Sequence, residues 1–341
     1  MSARPSDAPR VSLLIPNRNN GPLLDLVLGR LAEHTTYPNV ELVVVDDGST
    51  DASRAILRRW RDSGPFSDFR LLEHEHAGAI EALNSGLREA SGELVVQLDA
   101  DASVQTPGWL ERMVALFLTD ARIGVLTAKV VYDWGEVQAC GVDVIGPAGF
   151  HGRGTVVTEP VGRRTYHERV RRVREGDCDA CAAPAEVDAG AGPCMMYRRE
   201  VVLKVGGYDP GYAPVWFDDV DLALSIRRRG LKVFFVPDVR IVHHVGRRET
   251  AGPARRVLRA ALPDRLRHRV AARLRVRPTA HAERLRHHYA YWRQKWGFDL
   301  LNPDMEELTA RWGGTELCWR LDPEMRAAGE EIVAGFEAVP A

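Results

Sequence analysis

With 341 residues, 45% hydrophobic and 27% charged, the chain has the composition of an ordinary globular protein. Its length suits one large domain or a domain with an appendage. A formal net charge of -1 provides no global field for nucleic acid, and no nucleic-acid partner is expected. No stretch approaches the ~18 apolar residues of a membrane span, and the opening MSARPSDAPR lacks the apolar core of a signal peptide. A cytoplasmic protein is expected, at most peripheral at the inner face of the membrane.

The apolar run VSLLIP at residues 11–16 reads as a buried strand closed by a proline, and residues 23–33 follow with helical spacing. A second buried strand is predicted at 40–46 (VELVVVD) and a helix at 51–61, capped by Ser49 or Thr50. Residues 69–72 form a short third strand, 78–90 a helix and 93–98 a fourth strand. Strands alternating with helices predict an α/β domain, a mainly parallel sheet with helices on both faces. Periodicity is lost over 132–190, which reads as irregular loops and short strands on the substrate side. It returns near 189–199, in a helix at 218–228 and in a strand at 232–236. Beyond about residue 250 the chain reads as a mainly helical C-terminal extension, 251–341.

Five cysteines, Cys140, Cys178, Cys181, Cys194 and Cys318, are too few and odd in number for a disulfide framework. Cys178 and Cys181 form a lone CxxC, and no second CxxC supplies the other two ligands of a zinc site, so none is expected. From Arg255 to Arg277 the chain carries nine arginines and one acid, Asp264. This stretch is either a solvated helical face or a surface for anionic lipid heads or phosphate-bearing substrates.

In an open α/β sheet, ligands bind beyond the carboxyl ends of the strands. Three polar clusters stand at such ends: Pro16-Asn17-Arg18-Asn19, Asp46-Asp47-Gly48-Ser49 and Asp99-Ala100-Asp101. One Asp-Asp-Gly-Ser can be a mere turn and helix cap; three polar strand ends in order carry more weight. Asp99 and Asp101, two apart after an apolar strand, can grip a hard divalent cation and through it a diphosphate. Asp218, Asp219 and Asp221 open a helix beside Trp216 and Phe217. The helix dipole favours acids there, but a carboxylate against an aromatic wall can also serve as general base to a hydroxyl. Asp221 is expected to be structural, turned towards nearby backbone or the following arginines. His243-His244, after the strand and Pro237, either completes a metal site or is a satisfied histidine pair.

The ordered set of segments resembles the inverting family 2 glycosyltransferases with a GT-A fold, rhamnosyltransferases among them. The segments are VSLLIPNRN (11–19), VELVVVDDGSTD (40–51), GAIEALNSGLREASGELVVQLDAD (78–101), PCMMYRREVVLKVGGYD (193–209), WFDDVDLALSIRRRG (216–230) and VPDVRIVHHVG (236–246), with YWRQKWG (291–297) as a late addition. The resemblance covers 11–250. It implies a GT-A catalytic domain at 1–250, with a donor half at about 11–130 and an acceptor half at about 131–250. It implies that Pro16, Asn17, Arg18 and Asp47 line the nucleotide, that Asp46 shapes that loop, and that Asp99 lies by ribose and metal. Asp101 would bind Mn2+ or Mg2+, with His243 or His244 touching the metal or the diphosphate. Asp219, beside Asp218, would be the base, and Gly192, Cys194, Met195 and Trp216 would lie on the acceptor side. Two departures stand out: Asp218-Asp219 where Glu-Asp is usual, and Arg18 where some members stack an aromatic on the base.

The activity so implied is metal-dependent transfer of a hexosyl or deoxyhexosyl group, with inversion, from a UDP, dTDP or GDP sugar. The acceptor would be a saccharide, a lipid-linked or natural-product molecule, or a protein. Peripheral membrane contact through the arginine stretch and a homodimer are further expectations. Two rivals are a sugar-nucleotide nucleotidyltransferase, whose glycine-rich, lysine-bearing phosphate loop IPNRNNG does not match, and an inactive nucleotide-sugar-binding module. A dinucleotide oxidoreductase is disfavoured because no G-x-G-x-x-G follows the first strand.

Overall fold

The computed structural model describes residues 8–146, 149–153, 155–159, 169–245, 280–300, 304 and 306. The first half alternates as predicted: β1 (Val11–Asn17), α1 (Gly21–His34), β2 (Val40–Asp47), α2 (Ser53–Ser63), β3 (Phe69–His74), α3 (Ala79–Glu89) and β4 (Leu94–Leu98). There follow β5 (Ala102–Val104), α4 (Trp109–Phe117), β6 (Ile123–Tyr132) and β7 (Val137–Ala139). Two ribbons come next, β8 (Val142–Gly146) with β9 (Gly149–Gly152) and β10 (Thr155–Glu159) with β11 (Arg169–Arg172). The remaining elements are β12 (Ala185–Val187), β13 (Cys194–Arg198), α5 (Arg199–Lys204), α6 (Asp218–Arg227), β14 (Lys232–His243) and α7 (Ala280–Trp296). Among the described residues, no helix is long and apolar enough to cross a membrane.

The main sheet runs β12-β14-β6-β13-β4-β1-β2-β3, with β5 against β14 and β7 against β6. β4, β1, β2 and β3 are mutually parallel, as are β14 and β6; β13 is inserted antiparallel between β4 and β6. Successive strand side chains face opposite ways, and here both faces are covered, so the strands read as continuous apolar runs. Leu13 and Ile15 of β1 join α1 and α4 in one core layer, while Leu14 joins α3 in the other. That second layer extends through α6 to Trp292, Trp296, Phe298 and Leu300. The YWRQKWG segment is thus packed on the sheet domain. The arginine stretch and most of the rest of 251–341 lie outside the described residues.

Three local expectations are corrected. Neither Ser49 nor Thr50 caps α2, which starts after Ala52; Asp51 accepts from the Ser53 N–H instead (2.9 Å). The strand expected to stop at Val236 continues to His243, because Pro237 falls where the β14–β6 register shifts between Val236 and Arg240. A proline without an N–H is tolerated at such a break. Asp221 is structural, but its partners are distant: Lys295 Nζ (2.7 Å) and Trp296 Nε1 (2.9 Å) donate to it from α7.

Candidate active site

The carboxyl ends of β1, β2 and β4 open onto one cavity of about 1200 Å³. Its lining includes Pro16, Asn17, Arg18, Asp47, Asp99 and Asp101 of the predicted set, with His76, Gly78, Pro214 and Val215. The β1–α1 and β2–α2 loops are laced together at its rim. Ser49 Oγ accepts from the Asn19 N–H (2.9 Å), Asn19 Oδ1 from the Thr50 N–H (2.8 Å) and Asp51 Oδ2 from the Gly21 N–H (3.0 Å). Asn19 holds a left-handed φ of 53°, a conformation Asn accommodates better than most residues.

Asp46 and Asp47 divide their work. Asp46 is fully buried and does not line the cavity; Asn17 Nδ2 (2.9 Å), the Ser49 N–H (3.0 Å) and Arg54 Nε (2.8 Å) donate to it. Asp47 does line the cavity, and accepts from the Ala77 (2.6 Å) and Gly78 (3.0 Å) N–H groups, with His76 Nδ1 at 2.7 Å. Burial opposes its ionisation, but these donors outweigh it and hold the carboxyl below its ordinary value. Directly after Asp47, Gly48 has φ +71°, and a Cβ there would stand 2.7 Å from the His76 backbone nitrogen, so only glycine lets the two loops close.

Asp99, Asp101 and His243 offer three ligand atoms within 4.8 Å of one another. His243 Nε2 lies 3.1 Å from Asp101 Oδ1 and 3.9 Å from Asp99 Oδ2. On the other side of the ring, Nδ1 meets Gln138 Oε1 at 2.7 Å. If Nδ1–H donates to Gln138, the Nε2 lone pair points at two carboxylates, an arrangement satisfied by a proton or a cation. Two carboxylates and an imidazole suit a divalent cation such as Mn2+ or Mg2+. His244 stands outside this group: its Nε2 pairs with Ser103 Oγ (2.8 Å), while its N–H donates to the Asp101 carbonyl (2.8 Å).

The paired acids are set by a chain of contacts. Gln97 Nε2 donates to the Gly192 carbonyl (2.8 Å), and the Gly192 N–H donates to Asp219 Oδ2 (2.8 Å). Tyr208 in turn donates to Gln97 Oε1. Asp218 is buried and Asp219 only partly so. Burial, then the adjacent Asp219 and the nearby Asp99, push Asp218 up to about 8; burial also raises Asp219. Just before them Trp216 (φ 80°) and Phe217 (φ 72°) hold left-handed backbone that bulky residues rarely adopt. α7 braces this turn: Phe217 meets Tyr289 edge-on at 5.0 Å and Trp292 at 6.2 Å, and the Arg284 guanidinium lies 5.2 Å over Trp216.

Of the acceptor-side set, Gly192 contacts Asp219 and Trp216 is exposed. Cys194 and Met195 are buried in β13, their side chains divided between the two core layers. Sequence reasoning missed Gln138, Gln97, Asp51 and His76. Gln138 lies in the aperiodic stretch, and the others gain meaning only through partners far along the chain.

The profile described as Glycosyl transferase family 2 matches residues 12–206. The chain is 31% identical over 239 residues to an uncharacterised protein, y4gI, of Sinorhizobium fredii, covering 69% of this chain and 24% of that one. It is 29% identical to the O-antigen biosynthesis protein RfbC of Myxococcus xanthus, covering 69% of this chain and 17% of that protein. The chain thus spans a quarter or less of the length of these two relatives. Its fold resembles that of a mannosyltransferase of Pyrobaculum calidifontis solved with GDP-Man and Mn2+ (TM-score 0.51, 24% identity, all of this chain and 78% of that one). With more than half of its length matched by the profile and its mainly parallel sheet matched by a GT-A structure, the chain belongs to glycosyl transferase family 2.

Proposed function

We propose that this chain moves a sugar from a nucleotide-diphosphate donor to an acceptor hydroxyl, with inversion. The observation that carries the reading is the convergence on one cavity of the β1, β2 and β4 ends with Asp99 and Asp101, which His243 joins in one group of three ligand atoms. The loops at 16–19 and 46–51 would hold the nucleotide in the donor half, about 11–130, and the half at about 131–250 would hold the acceptor. Asp99, Asp101 and His243 would hold Mn2+ or Mg2+, as the cavity's donor chemistry favours; a bound divalent cation neutralises charge on a departing diphosphate. The Pyrobaculum neighbour, solved with GDP-Man and Mn2+, supports the same reading.

Asp219 takes the acceptor proton in this scheme. Its Oδ2 is oriented by the Gly192 N–H, and the residue is only partly buried. Its raised affinity for protons makes it a stronger base than a surface carboxylate once it is ionised. Asp218, buried next to it, holds its own proton more tightly than a surface aspartate does. Fixing the attacking hydroxyl against this carboxylate supplies the orientation that speeds a displacement.

Thermal unfolding against UDP, GDP, dTDP and CDP, with and without Mn2+, tests the donor site. A cation-dependent rise with one diphosphate is expected, since a ligand bound only by the folded state raises the midpoint. No rise with any of them at millimolar concentration overturns the donor reading. Asp219→Asn is expected to keep the rise and to lose turnover by a hundredfold or more, on the order of what a general base contributes.

A further inference from the structure

Three of the four cysteines between residues 131 and 250 meet. Cys140, directly after β7, brings its sulfur within 4.8 Å of those of Cys178 and Cys181, and all three are buried. The CxxC lies on a turn in which the Cys181 N–H donates to the Cys178 carbonyl (3.0 Å). Cys140 is the further ligand that spacing along the chain concealed. We propose that Cys140, Cys178 and Cys181 bind zinc at a structural site separate from Asp99, Asp101 and His243.

The chemistry follows from the donor set. Three thiolates select a soft or borderline cation over Mg2+ or Mn2+. Ligands of a tetrahedral zinc with ~2.3 Å bonds stand about 3.8 Å apart, inside the spread of these sulfurs. The Cys178 and Cys181 sulfurs lie 2.7 Å apart, closer than two ligands of one zinc and farther than a bonded pair, so ligation and a disulfide each require a small shift. The third sulfur favours ligation: a disulfide uses two and leaves Cys140 a buried bystander, whereas a cation engages all three. Three thiolates on one zinc carry a net negative charge; in the metal-free chain the Cys140 contact and burial push the Cys181 thiol up, and burial does the same at Cys178, so a cation must displace these protons. Binding releases the thiol protons and transfers no electrons; a water or an added thiol completes the tetrahedron.

The site would fasten two segments that meet beside the candidate active site. Val137 of β7 donates its N–H to the Val173 carbonyl (2.9 Å), and Gln138 is the residue that contacts His243. A cation bridging Cys140 to Cys178 and Cys181 would tie the end of β7 to the segment that holds the CxxC.

The test uses the whole chain, purified with zinc present and dialysed against a mild chelator. About one zinc per chain is expected, released when an organomercurial titrates the thiols. Cobalt substitution is expected to give the near-ultraviolet charge-transfer absorption of thiolate ligation, which carboxylates and imidazole do not produce. Cys140→Ser should lose that absorption, and Cys194→Ser, whose sulfur lies elsewhere, should keep it. If Cys140→Ser fails to fold, the parent's cobalt spectrum still decides. No retained zinc and no thiolate–cobalt band in the parent would overturn the proposal. So would a mass two units low with Cys178 and Cys181 linked.

Discussion

Asp218 offers a direct reading of the electrostatics of the site, through its effect on stability. Its carboxyl keeps its proton up to about 8 in the folded chain, from burial first and the Asp219 charge second. An unfolded aspartate loses its proton near pH 4. The folded value is raised, so between the two the unfolded chain binds fewer protons and stability falls as pH rises. The loss runs at up to about 1.4 kcal/mol per pH unit and is complete above pH 8. Asp218→Asn keeps the shape and removes the charge, so the variant escapes the loss. Relative to the parent it should gain about 3 kcal/mol between pH 5 and pH 7, and nothing below pH 4. Urea unfolding at pH 4, 5, 6 and 7 in a chelator, which keeps cations from relieving the repulsion, measures the difference. A variant-minus-parent difference that is flat across that range would refute the burial and coupling argument.

Two more perturbations follow from contacts at the site. Gly192→Ala places a Cβ 3.2 Å from Asp219 Oδ2, so the carboxyl must shift by a few tenths of an ångström. About a tenfold fall in kcat is expected, with diphosphate binding kept, and unchanged turnover would remove Gly192 from the positioning chain. Lys295→Met takes away the ammonium that bridges Asp209 and the buried Asp221. Stranding a buried carboxylate costs about 3–5 kcal/mol, and with Lys295 itself 29% exposed about 2–3 kcal/mol is expected in urea unfolding.

The sheet's first half was legible because its signal is local. VSLLIP and VELVVVD are apolar on both faces since both faces are covered, and the polar residues start where the strands end. The same logic located Asp47, Asp99 and Asp101 on the cavity. Contacts between distant segments were hidden. Ser49 was read as a cap because Ser before a helix usually is one, but its hydroxyl is committed to the β1–α1 loop, 30 residues back. Asp221 was recognised as structural and given the wrong partners, because Lys295 and Trp296 lie more than 70 residues away. Within 132–190 the strands are three to five residues long, too short for periodicity to register, and Gln138 and Cys140 went unassigned there.

The strained turn and the C-terminal helix belong to one argument. Two successive bulky residues in left-handed backbone, Trp216 and Phe217, cost on the order of 1–3 kcal/mol each. Such a turn persists only if its surroundings over-determine it. Here the surroundings are Tyr289 and Trp292 against Phe217, Arg284 over Trp216, and Lys295 and Trp296 on Asp221, all from α7. The turn leads straight into Asp218 and Asp219, which begin α6. A helix some 65 residues downstream therefore helps fix the direction in which the paired carboxyls leave the backbone. In the proposed transfer, the precision of the base rests in part on packing from α7.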